Sequence, residues 1–381
     1  MRMYSVTPTV KAHVVVCKSD TTYCGHPVEA GEIYNFGNGE ITCMHLHADC
    51  VYTDDTALWH GQTGVHARAK ILLTRSLDGG LTWPESGHTV VFDQGQPLEK
   101  QREILSCRAT GQNTPPLTSS TIFHFGKSFS GDEIGEGMHQ VVPFVMRSED
   151  KGRTWSKEFA IPVNNAYTFY QAATLSIRQG NVVMNPFEVS TYPGADNNTD
   201  EATMYSVMYR SEDHGVTWEF MSVIARDPLG EDSYSYPCAV DLGNGKLLAT
   251  TGNWRVPNWR TRWISVCHSY DNGLNWTQPV RIQSFGVSPY TVVLRDGRVL
   301  IIYARRTPET LRGIFGIVSN DEGATWSSEF LLRNDASGGD IGYPVATQLD
   351  NGDIFTAYYY MVQDGLPRGG ARHIAGTIFS I

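Results

Sequence analysis

An all-β fold, a six-bladed β-propeller, is predicted by three features of this 381-residue sequence. A box of the form Ser-x-Asp-x-Gly-x-Thr/Asn-Trp occurs five times, starting at Ser76, Ser148, Ser211, Ser269 and Ser319. A strand, a Gly-containing turn and a second strand alternate with these boxes. Helical apolar periodicity is almost absent, while 37 glycines and 11% aromatic residues suit many short strands joined by tight turns.

Each box follows a strand-like run: KILLTR, VPFVMR, YSVMYR, WISVCH and FGIV. The box reads as a hairpin turn. Its Asp accepts hydrogen bonds from turn N–H groups, its Gly takes φ > 0, and its Trp packs between layers. The starting serines lie 72, 63, 58 and 50 residues apart. That spacing is too long for a helical solenoid, and its drift marks loops of unequal length. The alternating unit appears as IYNFGNGEITCMHLH, TLSIRQGNVVMNPFE, AVDLGNGKLLATTG, TVVLRDGRVLIIYARR and VATQLDNGDIFTAYYY, and EILSCRATGQNTPPLTSSTIFHFG fits the same slot with a longer turn. Two strands from each unit and two around each box make a four-stranded blade, and six blades make a ring without exposed sheet edges. RHIAGTIFSI has no box after it, so the N-terminal AHVVVC is expected to supply the missing strand and close the ring. Residues 1–381 are then one domain. A β-sandwich or β-helix would not explain two alternating kinds of turn.

The hydrophobic fraction, 41%, is enough for a sizeable core, and the formal charge of −10 excludes a basic field for nucleic acid or an anionic membrane. No run of about 18 apolar residues spans a membrane. The N-terminus lacks the long apolar stretch of a signal peptide, so the chain reads as cytoplasmic, or as secreted with its signal removed. Seven cysteines without CxxC pairs read as mostly free thiols, with a Cys43–Cys50 bridge as an alternative.

The predicted fold also sorts residues by face. With strands A to D running outward from the axis, boxes fall on C–D turns and Gly-rich turns on A–B turns, both on one face. Starts of strand A and ends of strand B emerge on the other face around the axis, where a site is expected. His26 opens strand A of blade I, and His45 and His47 close its strand B. An imidazole there suits acid/base work near neutral pH. The same histidines could instead ligate a metal, with His66 a further ligand. Tyr236-Pro237, Pro289-Tyr290 and Tyr343-Pro344 mark starts of strand A in blades IV, V and VI, where their phenols could ring a pocket. Arg102, Glu103 and Arg108 surround the start of blade II. Arg372 and His373 return toward the mouth, while Tyr358, Tyr359 and Tyr360 include core residues. The loop WRVPNWRTR, from Trp254 to Arg262, has a composition suited to stacking on a sugar and capturing an acid group.

The five boxes resemble the Asp-boxes of the sialidase (neuraminidase) superfamily, with DIGYPVATQLDNGDIFTAYYY similar to its last blade. The resemblance covers nearly the whole chain. It implies a tyrosine nucleophile paired with a glutamate, an aspartate acid/base and three arginines clamping a carboxylate. A neutral tyrosine suits a substrate whose own carboxylate would repel an anionic nucleophile. Tyr343 stands where that nucleophile falls. Glu188 and Glu231 are candidates to activate it. Asp49, Asp54 and Asp55 are candidates for the acid/base, with Asp49 carried forward. Arg255, Arg260 and Arg262 after strand B of blade IV, and Arg305 and Arg306 after strand B of blade V, are candidates for the clamp. The family's Arg-Ile-Pro is replaced by Gly25-His26-Pro27, so one arm of the clamp is absent. The expected set is therefore catalytic Tyr343, Asp49, Glu188 and His26, with His45, His47, Arg108, Tyr236, Arg255, Arg305 and Arg372 binding substrate. The expected function is an exo-acting glycoside hydrolase on an acidic or modified sugar, with no cofactor and no metal. A polysaccharide lyase using His and Tyr, or a non-catalytic carbohydrate-binding propeller, are the alternatives.

Overall fold

The structure is a computed structural model and describes residues 4–54, 56–60, 64–106, 114–129, 131, 133–135, 138–139, 141–162, 168–171, 176–190, 203–256, 258, 260–307 and 311–381. Six antiparallel blades form the ring of a β-propeller. Blade I has an inner strand in two pieces, Thr22–Gly25 and Ile33–Asn35, separated by the short helix Pro27–Ala30. Ile41–Asp49, Lys70–Ser76 and Thr89–Asp93 follow outward. Blade II pairs Ile122–Ser128, Val142–Ser148 and Phe159–Ala160. Blade III runs from Thr168–Gln171 and Ile177–Gln179 through Val182–Ser190 and Met204–Ser211 to Glu219–Ala225. Blades IV and V have four strands each, over Asp232–Gly243 to Val280–Ser284 and Val287–Val293 to Phe330–Arg333.

Blade VI closes the ring. Its three C-terminal strands, Gly342–Gln348, Ile354–Tyr360 and His373–Ser380, take Thr9–Cys17 as their outermost partner. Val14 faces Gly376 and Val15 faces Ala375 in that antiparallel register. Mixing N- and C-terminal strands within one blade covers the outer side of His373–Ser380 with Thr9–Cys17, so the C-terminal strand is not the sheet edge.

The boxes are turns between third and fourth strands, as their sequence implied. In the box of blade III, Ser211 Oγ donates to Asp213 Oδ1 at 2.8 Å, and Asp213 accepts the Thr217 N–H at 2.8 Å and its hydroxyl at 2.7 Å. Trp218 Nε1 donates to the Gly215 carbonyl at 3.0 Å. Gly215 has φ 87°, and a Cβ there would lie 2.3 Å from the Phe123 ring of blade II. The glycine thus serves both the turn and the close approach of neighbouring blades.

Two expectations are corrected. EILS in the blade II unit is not strand but the end of a helix, Leu98–Ser106. Leu, Glu, Lys, Gln and Arg favour helix there, whereas the strand reading followed only the spacing of units. Cys43 and Cys50 are not bridged: both are buried free thiols, and the Cys50 thiol faces the Ala57 carbonyl at 3.9 Å. No helix among the described residues is long and apolar enough to cross a membrane.

Glu32 ties blade I to blade III beside the axis. Its Oε1 accepts both the N–H and the hydroxyl of Ser176 at 2.8 Å, while Oε2 is buried without a partner. Burial pushes its carboxyl up to about 7, against the hydrogen bonds that favour the anion. A raised carboxyl stabilises the fold fully below its unfolded pKa of about 4.3. That contribution is lost as pH rises through 7. Glu32→Gln should therefore flatten the loss of stability between pH 5 and pH 8, by up to about 3 kcal/mol. Urea unfolding of both proteins at the two pH values checks this. An equal decline in both would mean that Glu32 ionises as easily folded as unfolded.

Candidate active site

The site grows from a repeated local distortion. His26, Tyr236, Ser288 and Tyr343 each precede a proline and each have positive φ, between 48° and 51°. The left-handed conformation is costly for a side-chain-bearing residue, and the following proline disfavours the right-handed helical alternative. In blades IV, V and VI the inner strand bulges at this point, skipping register from Ser235 to Cys238, Val287 to Tyr290 and Gly342 to Val345. In blade I the helix Pro27–Ala30 starts there instead. Such strain recurring at one level around an axis marks a place where side chains are aimed rather than merely packed.

Tyr343 and Tyr236 meet at that level, with their hydroxyl oxygens 2.9 Å apart. The His26 ring stacks on Tyr343 at 4.4 Å and 8°. The Arg306 guanidinium lies over Tyr343 at 4.9 Å, donates to the Ile341 carbonyl at 2.7 Å, and donates to Tyr359 Oη at 3.1 Å. Burial holds the Tyr343 phenol well above its ordinary value, with Tyr236 and Glu29 adding to the shift and Arg306 opposing it. Tyr343 is therefore a neutral phenol at physiological pH. Glu188 accepts the Tyr236 N–H at 2.7 Å and the Ser235 hydroxyl on the same oxygen. Burial pushes Glu188 up to about 7 against those two hydrogen bonds, so near neutral pH it carries a proton about half the time.

A chain of polar groups leads away from His26. Glu29 Oε2 lies 3.1 Å from His26 Nδ1, so that nitrogen donates and Nε2 is left to accept from Tyr23 Oη at 3.1 Å. Tyr23 Oη in turn lies 2.9 Å from His60 Nε2. Burial above all, with the neighbouring His26 adding to it, lowers His60 to about 4, so near neutral pH it is uncharged and can donate to Tyr23. Burial opposes charge on Glu29, but Lys127 and His26 outweigh it and hold Glu29 anionic. Below them, Asp340 accepts from Tyr359 Oη at 2.8 Å and Arg372 Nε at 2.9 Å. Burial opposes charge on Asp340 too, yet His60 and Arg372 lower it to about 2.

Among the described residues, His26, Glu29 and His66 are the donors of this mouth grouped closely enough to hold a metal ion, with ligand atoms all within 4.8 Å. Lys127 Nζ already stands 3.5 Å from Glu29 Oε2 and supplies positive charge there. The donor set fits a cation poorly for that reason.

Beside Tyr236 opens a small cavity of about 60 Å³, lined by Arg260, Arg262, Arg306, Phe285 and Ser288 among others. Burial depresses Arg262, and the like charge of Arg306 adds to it. Ser288 Oγ is buried without a hydrogen-bond partner. Three guanidinium-bearing residues and an unused hydroxyl around one space form an anion-binding geometry.

The structure brings Tyr343, Tyr236, His26, Glu188 and Arg372 to this mouth. Arg372 is committed to Asp340 and to the carbonyls of Arg368 and Gly370, so it props the floor instead of facing a substrate. Other expected residues lie elsewhere. Arg305 pairs with Glu329 at 2.8 Å, since neighbours in a strand point to opposite sides and Arg306 takes the inward one. Arg255 is exposed and pairs with Asp232 at 2.9 Å. Asp49 and Asp54 are exposed, and Glu231 is exposed beside the Asp227 turn. His45 and His47 share one side of their sheet, as strand spacing requires, but that side faces the seam between blades VI and I. Tyr290 is buried in the core, and Ser288, two residues earlier, holds the aimed position. His373 is buried and bonds the Ala371 carbonyl at 3.0 Å. Trp254 is buried with Phe129, Val141 and Met204, its face covered by Arg262 at 4.6 Å. Arg102 and Glu103 are exposed on their helix. Arg108 and Asp55 lie outside the described residues. Sequence reasoning missed Tyr23, Glu29, His60, Ser288 and Asp340. The shared residue-before-proline position would have found Ser288; the others carry no such signal.

Solved structures of like shape share only the fold at these identities. A protein of unknown function from Dyadobacter fermentans aligns with TM-score 0.73 and 19% identity over 98% of this chain and 99% of that one. An α-L-arabinanase from Penicillium chrysogenum, solved with arabinobiose, aligns with TM-score 0.62 and 15% identity over 97% and 98%. A Hadza microbial sialidase aligns with TM-score 0.58 and 18% identity, over 94% of this chain but only 65% of the sialidase. No curated protein matches the sequence. Residues 112–356, more than half of the chain, match the BNR repeat-like domain, and with its boxes at the outer turns of a six-bladed ring this protein belongs to that family.

Proposed function

We propose that the protein is an exo-acting glycoside hydrolase for a sugar bearing an anionic group, with Tyr343 as nucleophile. The carrying observation is the Tyr343 phenol, neutral, aimed at the axis by a strained bulge, and 2.9 Å from the Tyr236 hydroxyl. Attack by Tyr343 Oη on the anomeric carbon breaks the glycosidic bond, the phenol giving up its proton as the leaving oxygen takes one up, and water then cleaves the aryl glycoside to release the sugar and restore the phenol. Glu188, the carboxyl tuned to neutrality, is a better proton carrier for this step than the exposed Asp49. Arg262 and Arg306, with Arg260 beside them, hold the anionic group. The solved sialidases and arabinanase of like fold act on sugars by their names, which supports the substrate class.

A second reading draws on the Glu29–His26–Tyr23–His60 chain. A carboxylate-oriented imidazole coupled to a phenol can remove the proton α to a uronate carboxylate, cleaving by elimination. Product masses separate the two. Incubation with sialosides and uronate-terminated oligosaccharides should give fragments that together gain one water. Fragments without that gain, one of them an unsaturated uronate, would replace hydrolysis by elimination. No cleavage of any member would discard both in favour of a binding propeller.

A further inference from the structure

We propose that Cys17, Cys24 and His47 form a zinc site that pins the seam where the ring closes, with the His45 ring turning in to take the fourth, tetrahedral position. Cys17 ends the outermost strand of blade VI, Cys24 lies in the innermost strand of blade I, and His47 faces Cys24 in register on the next strand. The chain crosses from rim to axis between the two cysteines, so a metal here ties the closing strand to the first blade.

The geometry matches the ion. Tetrahedral zinc has bonds of about 2.3 Å to sulfur and about 2.0–2.1 Å to nitrogen, which sets edges of about 3.8 Å between sulfurs and about 3.5 Å from sulfur to nitrogen. Cys24 Sγ lies 3.7 Å from Cys17 Sγ and 3.5 Å from His47 Nδ1. All three donor atoms lie within 4.8 Å of one another. The sulfurs are far beyond the roughly 2.05 Å of a disulfide.

His45 is the independent sign of a ligand. It is wholly buried, its Nδ1 lies 2.9 Å from the Leu46 carbonyl, and its Nε2 has no hydrogen-bond partner. A backbone carbonyl on Nδ1–H leaves Nε2 with a free lone pair, the usual arrangement behind a metal-bound imidazole. His45 lies on the same side of its strand as His47, with the two rings 6.3 Å apart, just outside the three clustered donor atoms. A cavity of about 410 Å³, lined by Cys17, His47, Thr22, Glu85 and His88 among others, opens onto the cluster and gives the ion a way in. Two sulfurs and two imidazoles are a zinc donor set; the hard oxygen donors of calcium or magnesium are not part of it. Binding releases the thiol protons of Cys17 and Cys24 to solvent and leaves zinc with two thiolates and two neutral imidazoles.

The full chain, reduced and stripped with a chelator, is titrated with Co²⁺ as the spectroscopic probe. One equivalent should give thiolate-to-cobalt charge-transfer and tetrahedral d–d bands. Zn²⁺ should bleach them, and the number of reactive thiols should fall by two. The melting temperature should rise with metal. His47→Ala should weaken binding at least about 100-fold, and Cys24→Ser should abolish the charge-transfer band. His47 is partly exposed, so its variant keeps the test open should Cys24→Ser fail to fold. Absence of a tetrahedral cobalt spectrum, an unchanged cobalt affinity in His47→Ala, or a Cys17–Cys24 disulfide in protein kept under reductant would each overturn the proposal.

Discussion

Tyr343→Phe should lower kcat by at least about 10³-fold and leave the fold intact. The substitution removes one hydroxyl. The ring that stacks on His26 and lies under Arg306 remains, and so does the bulge set by the backbone. The lost partner is Tyr236 Oη, which can turn to water, so the stability cost is about 1 kcal/mol. Tyr236→Phe is the matching control. It keeps the reacting oxygen and removes its neighbour, so its loss should be smaller, about 10- to 100-fold. Steady-state kinetics on whichever glycan is cleaved, with circular dichroism of each variant, decide the matter. Full activity in Tyr343→Phe would make Tyr343 a packing residue and move the chemistry to the His26 chain.

The fold was legible because its signals are local and repeated. Each box needs its Ser, Asp, Gly and Trp within a few residues, and the same hydrogen bonds recur in every copy. Ring closure was legible from strand counting, since His373–Ser380 required a partner and Thr9–Cys17 was the strand left over. The candidate site was legible only where one residue is placed by its own backbone. Tyr343 and Tyr236 were visible beside their prolines, but in blade V the aromatic residue drew attention from Ser288. Arg305 and Arg306 show the limit of strand reasoning: Arg305 ends its strand and Arg306 follows it directly, and only the register decides which faces the axis. Glu29 and His60 come from a helix inserted into an inner strand and from a loop, where no periodicity constrains direction. Asp340 acts through Tyr359 and Arg372, partners 19 and 32 residues away, which no short motif encodes. His45 and His47 were grouped correctly by spacing, yet which side of the blade faces the axis depends on its inner-strand neighbours, here Cys24.

Arg262→Met should raise KM for an anionic substrate about 100-fold and change kcat far less. Arg262 lines the cavity beside Tyr236 but makes none of the hydrogen bonds that hold Arg306 in place. Its guanidinium rests on Trp254, and a methionine keeps an apolar chain over that indole. The variant also relieves the repulsion between Arg262 and Arg306, so stability should shift by no more than about 1 kcal/mol. A charge-assisted pair with a carboxylate contributes about 1.5–3 kcal/mol, which sets the 100-fold figure. The chain as a whole is anionic, with formal charge −10, so capture must be local. At close contact in a partly enclosed cavity salt screens little, and wild-type KM should change only about twofold between about 0.05 and 0.5 M salt. The deciding comparison pairs an anionic glycoside with its methyl ester. Arg262→Met should bring the two KM values together by weakening the anion alone. An equal loss on both would mean that Arg262 shapes the cavity wall and that the substrate's charge is read elsewhere.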